Sequence, residues 1–267
     1  MPKTDTHAAA DDNPKIAGTA AFSKFIAVLQ LIADQQQPLN IAQLSTLSGY
    51  PRSTVYRILA ALMAEGMVLE NPRTKNFELG PRLINLASKS WEKSDIRSAA
   101  IDALKGLRDI TRETVHLAVP SDTGMVYIEK LESPQAVRMT SRIGTRVTLY
   151  SSAVGKAYLA ALDDTRCSKL MRSIKMQRFT EHTITDPDVL RAEIEATRKR
   201  GYAEDREENE PQIFCVGSAI LDRDGEPVGC ISISIPLFRK QKKMQETYIT
   251  PLLATCQEIS RKLSGPF

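Results

Sequence analysis

Cysteine and histidine are scarce in this chain of 267 residues, and the scarcity removes whole classes of function. The four cysteines, Cys167, Cys215, Cys230 and Cys256, form no CxxC pair and have no histidine beside them at ligand spacing, so neither a zinc site nor a disulfide framework is expected. The three histidines, His7, His116 and His182, are equally scattered, which leaves a metal site or a His-based catalytic constellation without local support. No cofactor is expected. Apolar residues never run to the roughly 18 that a membrane span needs, and the opening MPKTDTHAAADDNP lacks the charged start and apolar core of a secretory leader. A cytoplasmic protein without a membrane partner is the expectation. A large excess of one charge is missing too. The net +4 neither demands nor excludes nucleic acid, so the placement of the basic groups has to decide.

What is present, 42% hydrophobic and 25% charged residues, describes a globular chain long enough for two ordinary domains. Residues 1–17 are polar, Ala- and Asp-rich and without periodicity, the composition of a disordered arm. A first helix is expected to face Phe22, Phe25, Ile26, Leu29, Ile32 and Ala33 inward. Asn40 is placed to cap a second, short helix with Ile41, Leu44 and Leu47 on its inner side and Gly49 at its end. The turn residues Ser48, Gly49 and Pro51 then introduce a third helix, whose core face is Val55, Ile58, Leu59, Leu62 and Met63. Two short alternating runs around NPRTKN signal a hairpin at 67–79. Helix, helix, turn, helix and hairpin is the order of a winged helix-turn-helix.

The basic groups fall where such a module meets DNA. Arg52, Ser53, Thr54, Tyr56 and Arg57 crowd the early turns of the third helix, where side chains reach phosphates and base edges, and Arg73 and Lys75 stand at the hairpin tip. Taken singly, each residue reads as a solvated helix face with an ordinary Ser/Thr cap. Over residues 40–89, however, Arg52, Arg57, Arg73, Lys75, Arg82 and Lys89 oppose only Glu65, Glu70 and Glu78, a surplus that favours DNA binding.

A connecting helix follows over 81–94, and beyond it the texture changes to a sheet with surrounding helices. A helix over 96–110 is expected, then strands in TVHLAVP, GMVYIEKL and AVRMTSRIG, a Ser-capped helix in SSAVGKAYLAAL and another after Asp186 and Pro187. Strands in IFCVGSAILD and GEPVGCISISIP and a closing helix over about 243–263 complete an α+β domain spanning 95–267. Three features there have both a functional and a plain reading. The small-residue helix start at 151–155 suits an anion or is simply a capped helix. In CISISIP, Ile231, Ile233 and Ile235 form a core face, while Ser232 and Ser234 line either solvent or a ligand. The acidic run holding Asp205, Glu207 and Glu208 has the look of a solvated loop.

From about residue 22 to 236 the chain resembles an IclR-type bacterial transcriptional regulator, through PRSTVYRILAAL, FELGPRLINLA, RETVHLAV, MVYIEKLES, RIGTRVTLYSSAVGKAYLA, RFTEHTIT, RKRGYAEDREEN and CISISIP in that order and spacing. The resemblance implies a winged helix over 18–80, a linker helix over 81–94, and a GAF-like effector-binding domain, a profilin-like sheet plus helices, over 95–267. It also implies a homodimer or homotetramer on a pseudo-palindromic operator in double-stranded DNA. By the same resemblance, main-chain N–H groups at Ala153 and Val154 receive the carboxylate of a small effector. Asp205, Cys215, Ser232 and Ser234 then form the polar side of the pocket, and Met139, Leu149 and Ile213 its apolar wall.

Gln212 stands where the family commonly has glycine, and Thr148 and Tyr150 replace a frequent Pro and His, so a ligand-blind regulator is one alternative. Tyr150, SRIG and DREEN resemble the branch that controls sugar-acid catabolism. The expectation is a repressor of a catabolic operon under a small organic acid. An enzyme using Cys215 or Ser232 with Asp205 is the rival from another class, and no histidine accompanies those residues at a recognised spacing.

Overall fold

The computed structural model describes residues 19–92, 95–122, 124–137 and 139–264, so the arm expected over 1–17 lies outside the described residues. Contacts divide the chain into two compact units with the boundary after Lys93.

The first unit comprises α1 (Ala20–Asp34), α2 (Ile41–Ser48), α3 (Arg52–Ala64), the hairpin β1 (Val68–Glu70) and β2 (Phe77–Leu79), and α4 (Pro81–Glu92). Asn40 caps α2 as its sequence predicts. Its side chain accepts from the amides of Ala42 and Gln43, while Gln43 Oε1 accepts from the Asn40 amide, a reciprocal box that contributes about 1 kcal/mol. Gly49 ends the helix at φ +69°, the left-handed conformation only glycine adopts freely. Val28, Ile32, Leu44, Val55, Ile58, Leu59, Leu62, Val68 and Phe77 form one apolar core.

Two expectations about inner faces are corrected. On α1, Val28 and Ile32 are buried whereas Phe22, Ile26 and Ala33 are exposed, and Leu47 at the end of α2 also faces outward. A helix as apolar as α1 offers two overlapping stripes, and the one chosen is the one that α2 and α3 can cover. The start of α3 differs as well: its N-cap is Pro51 with no side-chain cap bond, so Ser53 and Thr54 are not spent on capping.

The second unit begins with α5 (Asp95–Thr111) and is organised by a six-stranded antiparallel sheet. Its strands are β3 (Thr114–Ser121), β4 (Gly124–Leu131), β5 (Arg146–Val147), β6 (Ala203–Arg206), β7 (Ile213–Leu221) and β8 (Pro227–Pro236), in the order β5-β4-β3-β8-β7-β6. Val115, Leu117, Val216, Ile231, Ile233 and Ile235 point to one side, where they pack with Leu104 and Leu107 of α5 and with Leu252 and Ile259 of α9 (Thr250–Ser264). The other side is covered by α6 (Ala153–Ala161), α7 (Asp164–Ser173) and α8 (Pro187–Arg200), around Val154, Leu159, Met171, Leu190 and Ile194.

The strand expected in AVRMTSRIG does not form. The described residues there are turns and extended backbone, and among the described residues after them only Arg146 and Val147 pair with β4 as a strand. Helix α7 and strand β6 have no counterpart in the sequence reading, and α9 begins later than expected, after a π-helical turn over Gln245–Ile249.

Candidate nucleic-acid interface and ligand site

On the first unit, the core face of α3 leaves Arg52, Ser53, Tyr56 and Arg57 exposed and Thr54 half-buried, so all five lie on the side away from the apolar core. Tyr56 is 64% exposed, a large amphipathic ring presented at the surface. At the hairpin tip, Asn71 Oδ1 accepts from the amides of Arg73 and Thr74, and Lys75 takes a positive φ of 57°. This fixes the turn and carries Arg73 outward. Lys75 Nζ lies 3.5 Å from Glu70, both on the surface, so part of its charge is spent locally. Arg82 is likewise paired with Glu65, so the surplus of basic charge is carried mainly by Arg52, Arg57, Arg73 and Lys89.

On the second unit, strand register assembles the site. One rung of the sheet aligns Ala203, Gly217, Ser232, His116 and Lys130, and the next aligns Asp205, Cys215, Ser234 and Thr114. These face the α6 side. The plain reading of CISISIP is corrected here, because Ser232 and Ser234 are buried, as the isoleucines that alternate with them are. Asp205 and Glu208 are also buried, at 4% and 5% exposure, so the acidic run is no solvated loop. The pairing of β6 with β7 draws it inward.

Glycine seats α6 on this face. A Cβ at Gly217 would meet the Ala153 carbonyl at 2.9 Å, and one at Gly155 would meet the Thr148 oxygen at 2.3 Å. The first turn of α6 therefore lies directly on the rung that holds Ser232. Ser152 caps the helix by accepting from the Gly155 amide at 3.0 Å, while the N–H groups of Ala153 and Val154 stand in the first turn, where no intrahelical acceptor exists.

A polar cluster surrounds this point. Lys156, fully buried, donates to Glu208 Oε1 at 2.6 Å, and Ser151 Oγ donates to Asn209 Oδ1 at 3.1 Å. Asp205 Oδ1 accepts from the amides of Glu208 and Asn209. Burial pushes the Asp205 carboxyl up to about 7, helped by the neighbouring Glu208 and opposed by Lys156. The Cys215 thiol donates to Ser234 Oγ at 3.3 Å and is held well above its ordinary pKa by burial and by Asp205. Tyr127 reaches the same centre, its pKa raised by burial and by Cys215 and Asp205. Ser232 approaches that phenol and pulls its pKa back down, yet no partner of ordinary hydrogen-bond geometry meets the buried Ser232 Oγ among the described residues.

The sequence-predicted residues divide accordingly. Asp205, Cys215, Ser232 and Ser234 come together on two adjacent rungs, and Ala153 and Val154 sit on the same face through Gly217. Ile213 occupies the next position along that face of β7. Leu149 is buried in the core with α6, and Met139 lies in the irregular segment before β5, where its carbonyl accepts from Lys130 Nζ at 2.8 Å. Sequence reasoning missed His116, Tyr127, Lys156 and Glu208. The only signal for the first two was strand parity, which carries no register across the sheet. Gln212 takes φ +64°, the left-handed conformation that glycine adopts most freely.

Among the described residues no group of three or more His, Cys, Asp or Glu is arranged to hold a metal ion, and no helix is long and apolar enough to cross a membrane. A separate cleft of about 710 Å³, lined by Leu221, Leu253, Gln257 and Arg261 among others, lies on the α9 side of the sheet, apart from the polar rungs.

Two family models match this arrangement: the IclR helix-turn-helix domain over residues 22–72 and the bacterial transcriptional regulator IclR C-terminal domain over residues 88–261. The chain belongs to the IclR family. It is similar to the HTH-type transcriptional regulator KdgR of Escherichia coli K12, at 30% identity over 95% of this chain and 96% of that protein. Among solved structures it is similar to the IclR protein of Thermotoga maritima, with 35% identity, a TM-score of 0.76 and coverage of 91% of this chain and 98% of that one. An IclR homologue from Microbacterium hydrocarbonoxydans complexed with 4-hydroxybenzoate shares the fold, with a TM-score of 0.78 at 20% identity and coverage of 91% and 99%. This IclR-family chain is thus a DNA-binding regulator of transcription and not an enzyme, with the α+β architecture that its sequence predicts.

Proposed function

We propose that this IclR-family regulator is a cytosolic homo-oligomeric repressor of a catabolic operon, with residues 18–80 reading a pseudo-palindromic operator in double-stranded DNA. A small organic acid bound in residues 95–267 controls that reading through the linker over 81–94. Arg52, Arg57 and Arg73 supply phosphate or base contacts, with Ser53, Thr54, Tyr56 and Lys75 beside them. The two-fold symmetry of such an oligomer matches a two-fold operator.

The observation that carries the ligand is the Ser232 hydroxyl, buried without a partner in a rung flanked by Asp205, Ser234 and the first turn of α6. A finished polar core leaves few such groups orphaned, whereas a ligand site keeps donors and acceptors in reserve. The carboxylate goes to the Ala153 and Val154 amides, where the helix dipole favours an anion. Ligand oxygens meet Asp205, Cys215, Ser232 and Ser234, and Met139, Leu149 and Ile213 form the apolar wall. A sugar acid of the 2-keto-3-deoxygluconate or aldonate kind fits this balance, in keeping with the relative named KdgR. No cofactor takes part in this scheme. The ligand-blind alternative rests on the departures in EPQIFCVGSA, Gln212 included; Gln212 takes the left-handed backbone that glycine adopts freely, which supports the effector reading.

The test is a thermal-shift screen of the full chain against pyruvate, glyoxylate, aldonates, 2-keto-3-deoxygluconate and aromatic acids, beside Asp205→Asn. A ligand at 100 times its Kd stabilises the fold by about 2.7 kcal/mol. A saturable shift in the native chain that disappears in the variant is the expected result; no shift with any acid rejects the effector reading.

A further inference from the structure

His116 stands inside the ligand centre without a role in the site described above. It is 1% exposed, its ring stacks on Tyr127 at 4.3 Å between centroids, and its two nitrogens face opposite walls. Nε2 shares a 2.7 Å hydrogen bond with Ser141 Oγ, while Nδ1 lies 3.5 Å from Ser234 Oγ, at the outer limit of a hydrogen bond. The unpartnered Ser232 Oγ sits on the strand position directly opposite His116. One side of the imidazole is therefore fully engaged and the other is slack, next to a hydroxyl that has the Tyr127 phenol near it but no partner of ordinary hydrogen-bond geometry among the described residues.

Ser141 belongs to a strap, residues 139–145, that doubles back along β4. Lys130 Nζ donates to the carbonyls of Met139 and Ser141 at 2.8 and 2.7 Å, and the Gly144 amide donates to the Tyr127 carbonyl at 2.7 Å. His116 is the one side chain among the described residues recorded as touching both Ser141 on this strap and Ser234 on β8. Burial and Lys130 keep the ring neutral, with a pKa pushed down to about 3, so each nitrogen engages a hydroxyl and neither attracts a carboxylate.

We infer that His116 is a specificity-determining residue that reads a ligand hydroxyl placed between its Nδ1 and the Ser232 and Ser234 hydroxyls, and that its bond to Ser141 couples this occupancy to the strap. The inference rests on the effector reading and narrows it to hydroxylated acids. An acid with the same chain but no hydroxyl would bury the orphaned Ser232 Oγ and the slack imidazole nitrogen without satisfying them, the kind of loss that discriminates strongly between analogues.

The experiment titrates the full chain with matched pairs, gluconate against hexanoate and glycerate against propionate. The proteins are the native chain, Asp205→Asn, His116→Phe, which keeps a ring against Tyr127, and His116→Asn, which keeps polar atoms if the phenylalanine variant fails to fold. In the native chain the hydroxylated member binds at least about tenfold tighter. His116→Phe reduces that ratio to within about threefold without abolishing binding, His116→Asn restores part of it, and Asp205→Asn loses both members. Amide hydrogen exchange across 139–145 slows on ligand addition in the native chain but not in His116→Phe, a response that a merely structural histidine would not control. A tenfold preference that survives in His116→Phe overturns this inference and leaves the effector reading standing. No binding of any acid overturns both.

Discussion

The two units handle polar chemistry in opposite ways. In the winged helix the core is wholly apolar and the residues proposed to meet DNA stand outside it: Arg52, Ser53, Tyr56 and Arg57 are all exposed. In the sensor unit the chemistry is inside. Lys156, Asp205, Glu208, His116, Ser232 and Ser234 are all buried, and burial pushes the Asp205 carboxyl up to about 7 and the His116 imidazole down to about 3. A surface that reads a polyanion gains from charges held in water on an indifferent scaffold, because each contact acts nearly alone. A site that must respond to a small molecule couples its groups through a low dielectric, so that filling it changes the energy of the whole domain.

The sharpest way to break that contrast is to remove one buried charge. Lys156→Met keeps most of the side chain but leaves Glu208 buried without its cation, and breaking such a pair costs about 3–5 kcal/mol, read as a lower urea midpoint. The loss should shrink as pH falls, because burial already raises the Glu208 pKa and a protonated carboxyl needs no counter-ion. A loss no greater than that of an exposed lysine would mean the centre is wetter than described.

Asp205 comes next. Its folded pKa of about 7 lies above the unfolded value near 3.8, so the native state holds the extra proton between those limits. Stability contributed by this group is present below about pH 4 and is lost as pH rises through 7. Asp205→Asn keeps an acceptor for the Glu208 and Asn209 amides but removes the buried charge. The variant should therefore exceed the native chain by of order 1–4 kcal/mol at pH 8, with the advantage vanishing near pH 4. Unfolding curves at the two pH values decide it, and a native chain that is stabilised through the same rise would reverse the assignment. His116 acts at the other end: its depressed pKa predicts stability lost as pH falls below about 6.5 towards 3.

Smaller effects refine the picture. Gln212 is exposed and held at φ +64°, so Gln212→Gly relieves left-handed strain at the cost of chain entropy, a net gain of up to about 1 kcal/mol in thermal unfolding. A loss of stability instead would show that the Gln212 side chain, not only its amide bond to Glu207, holds the turn. On the reading face, Arg57→Ala should change stability by less than about 0.5 kcal/mol while lowering the salt slope of DNA binding by about 0.9. An unchanged slope removes Arg57 from the contact set.

Legibility followed the same division. In the first unit local signals were enough, because Asn40, Gly49 and the hairpin residues act on their own neighbours, and apolar spacing gave α3 its inner face. They failed on α1 and Leu47, where more apolar surface exists than the small core can cover, and on the Ser/Thr cap of α3, whose N-cap is Pro51. In the sensor unit alternation located β3, β4, β7 and β8 but was silent on register, and register alone places His116 opposite Ser232 and Asp205 opposite Cys215. Asp205 and Glu208 looked solvated because a run of charges carries no trace of the long-range pairing between β6 and β7 that buries them. The AVRMTSRIG segment alternates like a strand, yet the bonds recorded for its later part run to the Lys130 side chain and to the Tyr127 backbone, not to a regular ladder. Helix α7 escaped notice because few apolar residues, chiefly Cys167, Leu170 and Met171, mark its inner side.

The central claim is that chemistry buried in the sensor governs chemistry exposed on the reader, and a DNA titration measures it most directly. Fluorescence anisotropy of a footprinted DNA site, followed with and without a binding acid in the native chain and in Asp205→Asn, compares the two units in one experiment. The account predicts that the acid weakens DNA binding of the native chain, and that Asp205→Asn binds DNA with native affinity and ignores the acid. An acid that shifts both proteins equally, or neither, would contradict it.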